Sequence, residues 1–223
     1  MKPSLQFIAL LICSCFVFNS YGQKTFSEGT LHYKISIESP KSENVMVNSL
    51  NGAELTLYLK SNVSRSEMKS TLGMESTVFN SRNGAGYILK EYSGQKLMIS
   101  MNEENWSQKN RLYENMNFTL ANEMFSIAGY QCKKATAVLA DGKVFTVYFD
   151  PSILISNKKY NNAFSNLPGL PVQYELQSGN LNFKYVLSSI NYDVVPQSKF
   201  EAPKSGFRVM TYEENQQLKK GNN

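Results

Sequence analysis

The side chains that could do chemistry are few and far apart. The chain has one histidine, His32, and three cysteines, Cys13, Cys15 and Cys132. A Ser-His-Asp triad would have to recruit His32, and no Gly-x-Ser-x-Gly elbow presents a serine to it. Zinc sites of the ordinary kind need several nitrogen or thiolate ligands, which His32 and Cys132 alone do not supply. Cys132 sits in a strand-like run, where cysteine is usually a small buried hydrophobe, and nothing around it supports pairing with His32 for nucleophilic catalysis. Asp150, Glu175 and Asp193 are candidates for a pair of glycoside-hydrolysing carboxylates. Asp150-Pro151 is a typical strand exit, however, and all three acids read as turn or strand-end residues. There is no phosphate-cradling glycine loop and no dinucleotide fingerprint. The expectation is a protein without a catalytic constellation, a cofactor or a metal. What is plentiful is aromatic surface. Tyr130, Phe145, Tyr148, Phe149, Tyr174, Phe183 and Tyr185 are the candidate lining of an apolar ligand cavity, joined by Tyr192, Met98 and Met101. Taken singly, each is core by default; methionine and aromatic surfaces adapt well to apolar guests when a cavity exists.

The elements that would position these rings are strands. The stretch Ile127 to Pro171 is central, with Asp141-Gly142 between two strand-like runs as a hairpin signal. A two-residue turn there sets Leu139 opposite Val144 and Val138 opposite Phe145. Thr136, Val138, Phe145, Val147 and Phe149 then share one face; Ala135, Ala137, Leu139, Val144 and Tyr148 share the other. Neither set is polar, so both faces are expected to be covered.

Before this hairpin the chain alternates in short runs. Leu31, Tyr33, Ile35 and Ile37 oppose His32, Lys34, Ser36 and Glu38 across residues 29–38, a half-buried strand. Strands are also expected at 55–60, 62–70, 74–81, 86–92 and 95–101, with turns at Asn83-Gly84 and Ser93-Gly94. The charged side of 62–70, with Arg65, Glu67 and Lys69, reads as solvated. Residues 103–117 read as a polar connection with a helical turn near 111–115. After Pro151 a short helix or lid-like loop is expected, then a turn at Leu167-Pro168-Gly169-Leu170-Pro171, whose prolines cannot lie mid-strand. A hairpin about Ser178-Gly179-Asn180 follows, and a β-bulge at Ser188-Ser189 shifts the apolar phase to Ile190, Tyr192 and Val194. An extended piece at 200–209 and a helix at 213–220 complete the chain, with a frayed polar tail. Such a run of strands fits an antiparallel sheet, sandwich or barrel.

Residues 1–22 read as a secretory leader: Lys2, an apolar run from Phe7 to Phe18, and Ser20-Tyr21-Gly22 before the cut. The run is too short to span a membrane, and Ile12-Cys13-Ser14-Cys15 offers lipidation at Cys15 as the lesser alternative. The expectation is a periplasmic or secreted protein with one β-rich domain, 23–223, and no membrane-spanning segment in the mature chain. A formal charge of +5 spread along the sequence is no nucleic-acid footprint.

Three stretches carry a family resemblance: Ile127-Ala128-Gly129-Tyr130-x-Cys132-Lys133-Lys134-Ala135, Val147-Tyr148-Phe149, and Leu167-Pro168-Gly169-Leu170-Pro171-x-x-Tyr174-Glu175. Together with Leu57-Tyr58-Leu59-Lys60-Ser61-Asn62-x-x-Arg65-x-Glu67, the sequence resembles the GLPGLI-related exported proteins of Gram-negative bacteria. These are similar to the lipoprotein-carrier, LolA-like superfamily. Pro171 stands where the GLPGLI name has isoleucine. The resemblance implies a mainly β fold: a single strongly curved antiparallel sheet, an open half barrel, with a few short helices or loops on its concave side. In carriers of this shape that side holds acyl chains. No ligand residue of the family transfers one for one. The leading expectation is a non-catalytic binding or carrier protein for a lipid, lipidated or other hydrophobic molecule. The alternative is a cell-envelope module that docks a partner protein through a sheet edge or loops.

Overall fold

A computed structural model describes residues 22–38, 49–178 and 181–221. The leader with its cut after Gly22, the Cys13–Cys15 alternative, most of the 39–52 loop, the turn at 179–180 and the last two residues fall wholly or mainly outside that range. The strands are β1 (Lys24–Phe26), β2 (Gly29–Glu38), β3 (Glu54–Leu59), β4 (Val63–Ser70), β5 (Gly73–Asn80), β6 (Gly86–Tyr92) and β7 (Gln95–Met101). They continue as β8 (Thr119–Ile127), β9 (Tyr130–Val138), β10 (Val144–Asp150), β11 (Ile153–Ile155), β12 (Leu170–Ser178), β13 (Leu181–Asn191) and β14 (Arg208–Thr211). Helices α1 (Glu103–Asn110) and α2 (Tyr212–Gly221) are supplemented by single 3₁₀ turns.

Twelve strands form one sheet in the order β14-β7-β6-β5-β4-β3-β2-β13-β12-β10-β9-β8. Every neighbouring pair is antiparallel except β14 with β7. The sheet is curved and does not close, so the protein is mainly β, with β14 and β8 as free edges. β2 sits between its sequence neighbour β3 and the distant β13, which welds the two halves of the chain. The alternation in β2 does what its pattern requires: Leu31, Tyr33, Ile35 and Ile37 are buried. Pairing with β13 shifts register between Leu187 and Ser189, the bulge expected at Ser188.

Several local readings are corrected. The Asp141-Gly142 hairpin closes through three residues, with Leu139 N–H donating to Lys143 O at 2.8 Å and Gly142 at φ +82°. Val144 therefore pairs with Val138, and Phe145 with Ala137. One residue of slip moves a strand's whole side-chain set to the other face. Ala135, Ala137, Phe145 and Val147 share the buried face, while Val138 and Val144 are 64% and 68% exposed, so the second face is not covered there. Two-residue turns with both residues at positive φ occur instead at Ser93-Gly94 and Ala128-Gly129. Pro171 belongs to β12, but at a register irregularity near the strand start, where a missing donor is tolerated. β13 ends at Asn191, leaving Val194 78% exposed rather than continuing the apolar face. Residues 200–209 are not one extended piece: Phe200 closes a 3₁₀ turn and only Arg208 onward is strand.

The charged side of β4 is covered at Arg65 and Glu67 and exposed only at Lys69. Val195 and Phe200 cross it and pack with Val78, Tyr58, Val63 and Tyr87. Beneath them Arg65 donates to Glu67, to Ser76 Oγ at 3.0 Å and to the Lys199 carbonyl at 3.1 Å. Helix α1, absent from the sequence pattern, starts at a reciprocal cap in which Asn102 and Asn105 each bond the other's backbone N–H. Glu103 and Glu104 at its start and Lys109 near its end suit the helix dipole.

Candidate ligand cavity

The inner face of the sheet is the one that packs against α1 and the irregular segment 158–167; the 193–200 strap crosses the outer face. Alternation along β12, β13, β2 and β10 delivers Tyr174, Tyr185, Tyr33 and Phe145 to the inner face. The rings form a chain of contacts: Phe145 to Phe164 at 6.0 Å, Phe164 to Tyr174 at 4.8 Å, and Tyr174 stacked on Tyr185 at 4.7 Å. Tyr33 meets Tyr174 edge-on at 5.8 Å and donates its hydroxyl to the Pro171 carbonyl at 2.7 Å. Burial, above all, holds the Tyr33 and Tyr174 phenols well above their ordinary pKa and pushes Tyr185 up to about 12, so all three stay neutral.

Of the seven aromatic candidates, the structure thus joins Phe145, Tyr174 and Tyr185. Phe149 is buried further along β10. Phe183 packs with Ile35, Ile37 and Leu181, a neighbouring cluster that Tyr185 also touches. Tyr148 points to the opposite face, where Phe125 meets it edge-on at 5.2 Å. Tyr130 opens β9, at the other end of that strand from the Ala137–Phe145 pair, and is half-buried. These rings mostly fill the core.

Open space lies beside them. An inner cavity of about 230 Å³ has Leu57, Ser64, Ser66, Thr77 and Phe79 as its floor on β3 to β5. Its cover is Trp106, Lys109 and Asn110 of α1, with Tyr113 and the turn Lys159–Asn162, and Leu176 closes one side. Trp106 lies against Phe79 at 5.3 Å. Gly86 makes room for it, since a Cβ there would stand 2.9 Å from Trp106 Cζ2. The indole Nε1 of Trp106 and the hydroxyl of Tyr160 are both buried without a hydrogen-bond partner. No Asp or Glu lines this cavity.

A second cleft, of about 520 Å³, opens where β10 and β12 part. Their pairing runs only from Asp150–Leu170 to Val147–Tyr174. Beyond it Val144–Thr146 pairs with β9 alone and Glu175–Ser178 with β13 alone. Phe145, Tyr148 and Tyr174 line this cleft, and Tyr113 and Leu176 line both spaces.

The residues weighed for chemistry lie in separate settings. Asp150 is buried and accepts from Ser152 N–H and Oγ at 2.8 and 2.6 Å, a turn-making arrangement. Glu175 accepts from Asn182 at 2.8 Å, and Asp193 is exposed. His32 Nδ1 stands 3.3 Å from Thr56 Oγ1. Cys132 is fully buried, and burial, followed by the Asp150 charge, pushes its thiol up to about 12, where the reactive thiolate is suppressed. No group of three or more His, Cys, Asp or Glu able to hold a metal occurs among the described residues. No helix among them is long and apolar enough to cross a membrane.

The cover residues Trp106 and Tyr160 escaped the sequence reading because they lie in segments without strand periodicity. A usable hint was the pair Ser64 and Ser66, small hydroxyl residues at alternate positions where a packed core would place larger apolar groups.

No protein-family model matches the chain, so the GLPGLI resemblance has no such match behind it, and no curated protein matches either. Solved structures do. PNGF-II aligns at a TM-score of 0.50 with 12% identity, over 85% of this chain and 33% of that one. MucB aligns at 0.39 with 12% identity, over 79% of this chain and 57% of that one. A LolA superfamily protein of Nitrosomonas europaea aligns at 0.40 with 10% identity, over 79% of this chain and 91% of its own. The chain therefore spans a third of PNGF-II and little more than half of MucB. At such identities the likeness is one of fold.

Proposed function

We propose that this is an exported, non-catalytic binding protein that holds a hydrophobic molecule, a lipid or lipidated group among the candidates, between its curved sheet and the cover formed by α1 and the 158–164 segment. One observation carries the reading. The inner face is not packed solid: Leu57, Phe79, Trp106, Tyr113 and Leu176 surround about 230 Å³ of space. Each methylene buried there gains about 0.8 kcal/mol over water. Export rests on the leader-like residues 1–22.

Trp106 is the chain's single tryptophan, so its emission reports on this cavity directly. Excitation of Trp106 in the mature protein is expected to transfer energy to the neutral apolar fluorophore N-phenyl-1-naphthylamine, saturating at one equivalent. Ser66→Phe, which fills the floor, is expected to weaken that uptake at least tenfold with an unchanged far-ultraviolet circular dichroism spectrum. Undiminished uptake in the filled variant removes this reading.

A second reading, an envelope module that docks a protein partner, has its own support. β8 is an unpaired edge, and Leu120 and Met124 on it are 48% and 52% exposed. On that reading the Ser66→Phe variant behaves as wild type in every assay.

A further inference from the structure

Two buried polar atoms beside the inner cavity have no partner. Indole Nε1 of Trp106 can only donate, and a buried donor without an acceptor costs stability. Trp106 is 7% exposed, and its Nε1 has no partner. The Tyr160 hydroxyl is in the same condition, and both residues line the same space. The hydroxyls of Ser64, Ser66 and Thr77 lie on the floor. Lys109 and Lys159 also border the cavity; both side chains are largely exposed, and neither forms an ion pair among the described residues. Asn110, Asn161 and Asn162 add amides that both donate and accept, but no carboxylate lines the cavity, so its two unpartnered donors and two lysines favour an anionic acceptor.

We infer that the inner cavity takes a single-chain amphiphile with a carboxylate head, the head accepting from Trp106 Nε1 and Tyr160 Oη and the chain lying against Leu57, Phe79 and Leu176. This rests on the reading of the cavity as a ligand site and adds the chemistry of the ligand. A volume of about 230 Å³ holds roughly eight water-sized groups, enough for a carboxylate and a short run of methylenes but not for a two-chain lipid. A longer chain would pass Tyr113 and Leu176, the shared wall, into the cleft between β10 and β12. The two lysines draw the anion in from the rim, weakly at their exposure and less at high salt.

The test is calorimetric titration of the mature protein with octanoate and with octylammonium, in wild type and in Tyr160→Phe and Trp106→Phe. Octanoate is expected to bind at least tenfold more tightly than octylammonium. Tyr160→Phe keeps its ring and loses one donor, and is expected to weaken octanoate about tenfold, the value of one hydrogen bond to a charged group; Trp106→Phe loses the donor together with part of the indole ring and is expected to weaken it at least as much. Tyr160→Phe also removes a buried group with no partner, so the thermal midpoint of the empty protein is expected to rise by about 2 °C. That rise separates lost recognition from lost folding. Equal affinity for the two amphiphiles, or undiminished octanoate binding in Tyr160→Phe, overturns the inference and leaves the cavity as a site for apolar guests. Failure of both amphiphiles and of the neutral fluorophore overturns the ligand reading and this inference together.

Discussion

Tyr174→Ala is expected to destabilise the protein by about 4 kcal/mol, within the usual cost of deleting a buried aromatic ring. Tyr174 is the hub of the inner face: stacked on Tyr185 at 4.7 Å, crossed by Phe164 at 4.8 Å and met by Tyr33 at 5.8 Å. Ring pairs of this geometry add about 0.5–1.5 kcal/mol each beyond area burial. The site cannot collapse easily, because its neighbours come from β2, β13 and the 162–164 turn, which are held by their own pairings. A chain of this length loses about 2–4 °C of thermal midpoint per kcal/mol, so a fall of about 10 °C or more is expected in a thermal melt. A fall of less than 3 °C would mean that the aromatic chain is not a packed unit.

Gly169→Ala is the second large effect, expected at about 3 kcal/mol, the upper end for forcing an extra methyl into packed surroundings. A Cβ at residue 169 would stand 2.4 Å from the Asp150 carbonyl oxygen and 2.5 Å from Phe149 Cδ2. One neighbour is backbone and the other a ring that is itself fully buried, so neither can move away cheaply. Close approach, not an unusual φ, is what glycine supplies here. The conflict lies where β12 begins to pair with β10, and the loss is expected to show as faster amide exchange at Phe149 and Leu170. Denaturant melts check the magnitude; a midpoint within error of wild type contradicts it.

The same residue shows how much of the fold was legible. Leu167-Pro168-Gly169-Leu170-Pro171 announced a turn, and its place beside β10 explains the glycine, but what it approaches is set by tertiary pairing alone. Patterns confined to one strand carried through: the buried set of β2, the bulge at Ser188, the tight turn at Ser93-Gly94. Patterns needing a count of loop residues did not. Asp141-Gly142 serves two- and three-residue loops alike, and Val138 and Val144 are apolar on either register, so composition could not choose the face. Arg65 looked solvated because its cover, Lys199, arrives 134 residues later. Helix α1 hid because asparagine, not glutamate, completes its cap. The candidate cavity was the least legible part. Its floor of Ser64, Ser66 and Thr77 reads as a polar strand face, and its cover comes from two irregular segments that only tertiary packing brings together.

The central claim is that the hollow inner side of one curved sheet carries an apolar guest. Native mass spectrometry of the mature protein, isolated from its own cell envelope without detergent, tests it most directly. The account predicts a second mass series displaced by one small amphiphile, lost on collisional activation and absent from Ser66→Phe. A single bare mass in wild type, unchanged after incubation with octanoate, octylammonium and N-phenyl-1-naphthylamine, would contradict it.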